Sequence, residues 1–312
     1  MARTIVCCFK PSIISYYSSV PADTLQFLAN YGFDFIYCEN QAEFLAHLPE
    51  AEIAIAADFK AEWINLAPKL KWVTTFMAGK ERIAEAELLK KGIKVSFGRF
   101  HGKIMADTLI GMMLFTSRGL GTAYNLQKEK KWSDSILFDQ VSLLRGKTCM
   151  ILGMGSIGKH VARLTKFFGM YNIGVKRTVN NQLENIDKLI TVDSFKNYLP
   201  RVDHLVMILP KDPSTNNIIS TEELALMKKT ACLYNIGRGN SIDEDALHIV
   251  LKEERLAWAC LDVFQTEPLP VESQLWNLDN ILILPHASAF TPEYFGVFFE
   301  EFMNDFEEYM GG

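Results

Sequence analysis

Short apolar runs alternate with segments of helical spacing along almost the whole chain, and this alternation leaves few folds open. "RTIVCCF" (3–9), "FDFIYC" (33–38), "EIAIAA" (52–57), "KWVTTF" (71–76) and "IKVSF" (93–97) predict strands, with helical spacing at 22–31, 60–67 and 80–91. A second series follows residue 145: "KTCMILG" (147–153), "YNIGVK" (171–176), "KLITV" (188–192), "HLVMILP" (204–210), "ACLYNIG" (231–237), "AWACLDVF" (257–264) and "NILILPH" (280–286). Neighbouring parallel strands need a crossover, usually a helix, so the pattern predicts an α/β fold with parallel sheets covered on both faces. Two series in 312 residues predict two doubly wound lobes with the active site in the cleft between them. The segment 102–132 joins them. It reads as one long helix from about 103, loosened near Gly119 and Gly121, that packs either inside its own chain or against a second copy.

Bulk composition excludes several function classes. The net charge is −5, without the basic excess or stripe of a nucleic-acid binder. The densest basic run, "KEKKW" (128–132), reads as a solvated helix end. No stretch approaches 18 apolar residues without a charge, so neither a membrane span nor a membrane partner is expected, and the first residues do not form a secretion signal. The six cysteines, at 7, 8, 38, 149, 232 and 260, include no C-x-x-C pair and sit mostly in apolar runs. They predict buried, reduced thiols, a cytoplasmic location and no metal site.

"GMGSIG" (153–158) is entered by a strand and left by a helix whose apolar face is Ile157, Val161, Leu164 and Phe168. Gly153 permits a tight turn, Gly155 lets a pyrophosphate approach the backbone, and Gly158 lets helix and strand pack closely. Together with Met154, Ser156 and Ile157 they would set a dinucleotide on the helix N-terminus. Sites for NAD place an acid about 20 residues further on, to accept from the ribose 2′-OH. Here that position holds Lys176, followed by Arg177 and Thr178. A carboxylate would repel a 2′-phosphate, whereas these residues attract it. NADP(H) is the expected cofactor, with NAD(H) as the alternative.

Three further strands end on polar residues: Arg238 in "LYNIGRGNSIDEDAL", Glu267 in "LDVFQTEPLP" and His286 in "ILILPHASAFTPE". Hydride transfer to a 2-oxo acid needs a cation for the carboxylate and carbonyl, a role that suits Arg238. It also needs an acid for the new alkoxide, which suits His286. Glu267 would fix the imidazole tautomer and favour its charged form.

These blocks resemble the D-2-hydroxyacid dehydrogenase family, in order and over almost the whole chain, most densely from about 147 to 293. "RGNSIDEDAL" is similar to its R-G-x-x-V-D-x-x-A-L block, "LDVFQTEPLP" to its D-V-F-x-x-E-P-L block, and "PHASAFTPE" to the block carrying its acid/base histidine. The resemblance implies Arg238, Glu267 and His286 as the catalytic set and Asp262 as a contact at the nicotinamide end. It also implies that Leu209 and Pro210, in "MILPKDPSTNNII", lie in the loop over the cofactor, with Ile236 beside it. The implied fold is a flavodoxin-like substrate domain (1–99 and 288–312) and a Rossmann dinucleotide-binding domain (100–287), the C-terminal tail returning to the first lobe.

The first lobe departs more from the family. Its carboxylate-gripping G-x-G-x-D-x-I loop reads "FMAGKERI" (76–83), in which backbone N–H groups of Met77, Ala78 and Gly79 would form an anion nest. Lys80, Arg99 and His101 lie near enough in sequence to meet a substrate, and hinge or surface roles stand equally open for Arg99 and His101. The resulting expectation is an oxidoreductase that reduces small 2-oxo acids, such as glyoxylate or hydroxypyruvate, to D-2-hydroxy acids. It would work as a homodimer through the 102–132 region. The alternatives are an NAD-dependent dehydrogenase and a non-catalytic dinucleotide-sensing protein on the same scaffold.

Overall fold

The computed structural model describes residues 3–9, 20–179 and 182–311. The chain divides into two compact units, Met1–His101 with Phe290–Gly312, and Gly102–Ala289.

The first unit holds a five-stranded parallel sheet of β1 (Arg3–Cys8), β2 (Phe33–Cys38), β3 (Ala51–Ala56), β4 (Trp72–Thr75) and β5 (Lys94–Phe97), in the order β2-β1-β3-β4-β5. This is the flavodoxin-like order. β3 is buried along its entire length, as a central parallel strand should be. One face of the sheet carries α1 (Ala22–Asn30) and the C-terminal helix, here α10 (Tyr294–Gly311). α10 buries Phe295, Phe298, Phe299, Phe302 and Phe306. Phe302 stacks on Trp72 with ring centroids 5.4 Å apart. On the other face Phe44 of α2 (Gln41–His47) meets Phe59 and Trp63, and α3 (Glu85–Lys90) adds Leu88. The Glu52 carboxylate on β3 accepts two bonds from Arg3, at 2.6 and 2.9 Å, and one from the Tyr309 hydroxyl at 2.7 Å. The Arg3 bonds are the main reason that its carboxyl is lowered to about 2.

The second unit is built on seven parallel strands: β6 (Thr148–Leu152), β7 (Tyr171–Lys176), β8 (Lys188–Thr191), β9 (His204–Met207), β10 (Cys232–Asn235), β11 (Trp258–Leu261) and β12 (Ile281–Ile283). Their order, β12-β11-β10-β9-β6-β7-β8, is the doubly wound Rossmann order with one strand added. The chain reverses direction of travel between β6 and β9, the place where such sheets bind ligands. α4 (His101–Ser117) and α7 (Ser156–Phe167) cover one face with Leu109, Met113, Val161 and Ala162. α8 (Thr221–Leu226) and α9 (Glu244–Lys252) cover the other, with Leu224, Leu247 and Val250.

Several expected elements are shorter. Residues 102–132 form two helices, α4 and α5 (Leu120–Lys128), followed by α6 (Asp134–Phe138). Gly119 stands between the first two at φ +63°, and the Ser117 carbonyl leaves the helix to accept the Ser142 N–H at 2.7 Å. The segment 60–67 is a 3-10 turn, Ala61–Leu66, and only Glu85–Lys90 of 80–91 is α-helical. β7 keeps the whole of 171–176, and the other strands of the second unit stop short of the ends of their runs.

Candidate active site

The glycine loop follows β6, and each of its three glycines meets a different environment. Gly153 has φ +105°, and a Cβ there would stand 2.3 Å from the Ile208 carbonyl oxygen. A Cβ on Gly158 would stand 2.2 Å from the Gly153 carbonyl oxygen, so helix and loop touch backbone to backbone. Gly155 differs, being exposed and with nothing within 4 Å of a Cβ. It is the N-cap of α7, and no side chain caps that end. Open space over an uncapped helix N-terminus suits a pyrophosphate, so these residues fit a dinucleotide. Met154 is buried, while Ser156 and Ile157 form the half-buried first turn of α7.

At the end of β7 Lys176 is half-buried, and Arg177 and Thr178 are exposed. The Arg177 guanidinium donates to Asp212 Oδ2 at 3.2 Å. Asp212 lies in the loop after β9, where its Oδ1 accepts from the Ser214 N–H at 2.9 Å and from the Ser214 hydroxyl at 2.6 Å. Those bonds, then Arg177, hold its carboxyl below the usual range. β7 and β9 flank β6, so the Arg177–Asp212 pair bridges the strands on either side of the glycine loop. "DPST" reads in sequence as a capped turn, but nothing in it points to Arg177. Leu209 and Pro210 open the same loop, half-buried and exposed respectively, and Ile236 is buried just beyond β10.

The strands β10, β11 and β12 are neighbours, and their carboxyl ends carry Arg238, Glu267 and His286. Asn235 Nδ2 and the Ser241 hydroxyl both donate to the Arg238 carbonyl, at 3.1 and 2.7 Å. The Arg238 guanidinium donates to the Gly237 carbonyl at 2.8 Å. A Cβ on Gly239 would fall 1.9 Å from the Phe264 carbonyl carbon, so the Arg238 loop lies directly on the loop after β11. In that loop Glu267 Oε1 accepts the Phe264 N–H at 2.9 Å, and Glu267 Oε2 lies 2.7 Å from His286 Nδ1.

A carboxylate oxygen accepts, so Nδ1 carries the proton of this bond and Nε2 is left to exchange one. The imidazole side chain is 52% exposed, open to a reactant. His286 has φ +54°, a backbone region that non-glycine residues seldom occupy. Asp262, fully buried, faces this strained loop: it accepts the Ala287 N–H at 2.6 Å and the Ser288 N–H at 3.1 Å. The Asp262 carboxylate thus holds the backbone of the histidine loop.

In the first unit the Met77 N–H donates to Thr75 Oγ1 at 3.1 Å, next to exposed Ala78 and half-buried Gly79. Lys80 pairs with Glu85 at 2.9 Å and stands 4.7 Å from the Phe97 ring centroid. Arg99 pairs with Glu301 and Asp305 of α10. His101 is buried, with Nε2 2.8 Å from the Tyr294 hydroxyl.

A Rossmann-ordered sheet with an open glycine loop, and a histidine–glutamate pair on adjacent strand ends, defines a nicotinamide-dependent oxidoreductase. The profile of "D-isomer specific 2-hydroxyacid dehydrogenase, NAD binding domain" matches residues 110–288. Glyoxylate/hydroxypyruvate reductase B of Yersinia pestis (strain Pestoides F) is 34% identical over 295 residues, covering 91% of this chain and 89% of that protein. A solved D-isomer specific 2-hydroxyacid dehydrogenase family protein from Aeromonas salmonicida subsp. salmonicida A449 is 27% identical with TM-score 0.75, over 99% of this chain and 97% of that one. An NADPH-dependent glyoxylate/hydroxypyruvate reductase of Sinorhizobium meliloti, solved with NADP and malonate, shares the fold at 24% identity and TM-score 0.71, over 99% of this chain and 94% of that one. The chain belongs to the D-isomer specific 2-hydroxyacid dehydrogenase family. It is an NAD(P)-dependent oxidoreductase acting on 2-hydroxy or 2-oxo acids.

Proposed function

We propose that this protein reduces small 2-oxo acids, glyoxylate and hydroxypyruvate among them, to D-2-hydroxy acids with NADPH. The observation that carries the catalytic part is the His286 Nδ1–Glu267 Oε2 contact of 2.7 Å, with Glu267 itself fixed by the Phe264 N–H. The Yersinia relative, named for the same two substrates, supports the substrate class. The bound nicotinamide supplies the hydride. Arg238 holds the substrate carboxylate and polarises the carbonyl. His286 gives its Nε2 proton to the developing alkoxide, and Glu267 keeps the imidazole in that tautomer and favours its charged form. The substrate carboxylate is also held by backbone N–H groups at 77–79. Since the Met77 N–H already serves Thr75, the nest draws chiefly on Ala78 and Gly79.

The cofactor rests on Gly153–Gly158, with Leu209, Pro210 and Ile236 beside it. Lys176, Arg177 and Thr178 select the 2′-phosphate. NAD(H) binding is a second reading with its own support, because Asp212 beside Arg177 offers an acceptor that a free ribose hydroxyl would use.

The exposed apolar side chains of Leu120, Tyr124 and Trp132, with Trp132 98% exposed, support a homodimer through the 102–132 segment. All six cysteines are free thiols, in keeping with a cytoplasmic protein. Among the described residues no helix is long and apolar enough to cross a membrane. The test is oxidation of NADPH or NADH by the purified protein over a panel of 2-oxo acids. Turnover of glyoxylate or hydroxypyruvate with NADPH preferred is expected; no turnover on any of them overturns the proposal.

A further inference from the structure

The loop after β11 binds two carboxylates on consecutive backbone N–H groups. The Phe264 N–H donates to Glu267 Oε1 at 2.9 Å, and the Gln265 N–H donates to Glu244 Oε1 at 2.6 Å. Glu244 is the first residue of α9, directly after the N-cap Asp243. The Gln265 side chain crosses back to the Ile242 carbonyl at 2.7 Å, so the two segments are stapled twice. Glu267 passes the constraint to His286 Nδ1. Glu244 and Glu267 thus hang on adjacent N–H groups of one loop, and Glu267 alone carries on to the imidazole, so a second carboxylate is tied to the loop that the histidine's partner uses.

We infer that Glu244 is a positioning residue for the acid/base pair. Its reach sets the loop that aims Glu267, and its charge helps to hold His286 in the protonated form that reduction consumes. The inference rests on the reading of His286 as proton donor. The charged groups facing Glu244 are Asp245 on its own helix and Glu267 across the loop. Burial, the largest influence, raises the Glu244 carboxyl; the bond from the Gln265 N–H opposes it, and the two carboxylates add smaller pushes upward. A nearby negative charge favours imidazolium, so removing it lets the ring lose its proton at lower pH.

Two variants separate charge from reach. Glu244→Gln keeps an acceptor for the Gln265 N–H and removes the charge; Glu244→Asp keeps the charge and shortens the reach. The His286 imidazole is followed by NMR titration in the cofactor-free protein, its resonance assigned by loss in His286→Asn. The pH profile of kcat/KM for reduction is measured beside it. Glu244→Gln is expected to move the titration midpoint, and the limb where activity falls as pH rises, down by about half a pH unit. Glu244→Asp should leave both in place and lower kcat several-fold. A Glu244→Gln titration superimposed on that of the wild type overturns the charge role, and an Asp variant with unchanged kcat overturns the reach role. Should His286→Asn keep full turnover, the reading of His286 fails instead, whatever the Glu244 variants do.

Discussion

Replacing Gly155 by alanine should separate folding from cofactor binding. The position has φ −78° and ψ −159°, which alanine adopts freely. An added Cβ meets nothing within 4 Å. Loss of unfolded-state entropy favours the variant by about 0.4–1 kcal/mol, and the poorer N-cap preference of alanine takes back a similar amount. The net change should be within about 0.5 kcal/mol, or about 2 °C in Tm for a unit of this size. Bound cofactor changes the result, because the new methyl fills the gap through which a pyrophosphate reaches the helix N-terminus. Losing that approach should weaken NADPH by about 100-fold, near 2.8 kcal/mol. Wild-type protein at 100 times its Kd gains about 2.7 kcal/mol from the ligand, and the variant should lose most of that gain. Gly153→Ala and Gly158→Ala are the controls. Their Cβ atoms would stand 2.3 and 2.2 Å from carbonyl oxygens, so both should lose about 3 kcal/mol or more of stability even without cofactor. Thermal melts with and without NADPH, with calorimetric Kd values, decide the matter. A Gly155→Ala protein that binds NADPH within threefold of wild type would refute the placement of the diphosphate.

Other expectations address cofactor choice, chemistry and pH. Arg177→Gln should weaken NADPH about tenfold, roughly one charge-assisted contact, and leave NADH within threefold. Asp212→Asn, which keeps an acceptor for Ser214, should tighten NADPH two- to fivefold; equal effects on both cofactors would dismiss a 2′-phosphate site. His286→Ala should cut kcat by about 10²–10⁴-fold with the NADPH Kd unchanged, and lost cofactor affinity with chemistry preserved would reverse that role. His204, buried with its Nδ1 3.0 Å from the Tyr234 hydroxyl, is lowered by burial from 6.5 to about 4. Between those values the unfolded chain takes up a proton that the folded one refuses. Stability should therefore fall by up to about 3 kcal/mol as the pH drops through this window. Denaturant melts of His204→Asn should lack that slope, and an unchanged slope would show that other groups cause it.

What could be read from sequence was what is local. The glycine loop announces itself because strand, turn and helix are contiguous, and the order Arg238, Glu267, His286 survives because each follows its own strand. The apolar pattern overstates strand length because Ile208–Pro210 and Leu284–Pro285 stay apolar past the last register pairs, at Met207 and Ile283. The long helix was overextended because Gly119 alone does not break a helix; its left-handed turn is fixed by the Ser142–Ser117 bond and the Arg118–Val141 bridge. Asp212 and Glu244 escaped notice because their partners, Arg177 and Gln265, lie 35 and 21 residues away. Such pairings exist only once the sheet has set the strand order.

Asp262, buried behind the histidine, is another residue whose partners appear only once the strands are in place. His286 must leave β12 in a left-handed conformation at φ +54°, a strain of order 1 kcal/mol for such a residue. The turn exposes the Ala287 and Ser288 N–H groups toward the interior, where each would cost about 1–3 kcal/mol if unpaired. One carboxylate at the end of the adjacent strand satisfies both, and the Asp262 carbonyl takes the His286 N–H at 2.8 Å as well. A further tie comes from Thr108, whose hydroxyl donates to the Ser288 carbonyl at 2.9 Å. The backbone of the histidine is therefore fixed by Asp262 and its ring by Glu267. Both anchors descend from β11, so the geometry of one strand end sets the direction in which His286 offers its proton.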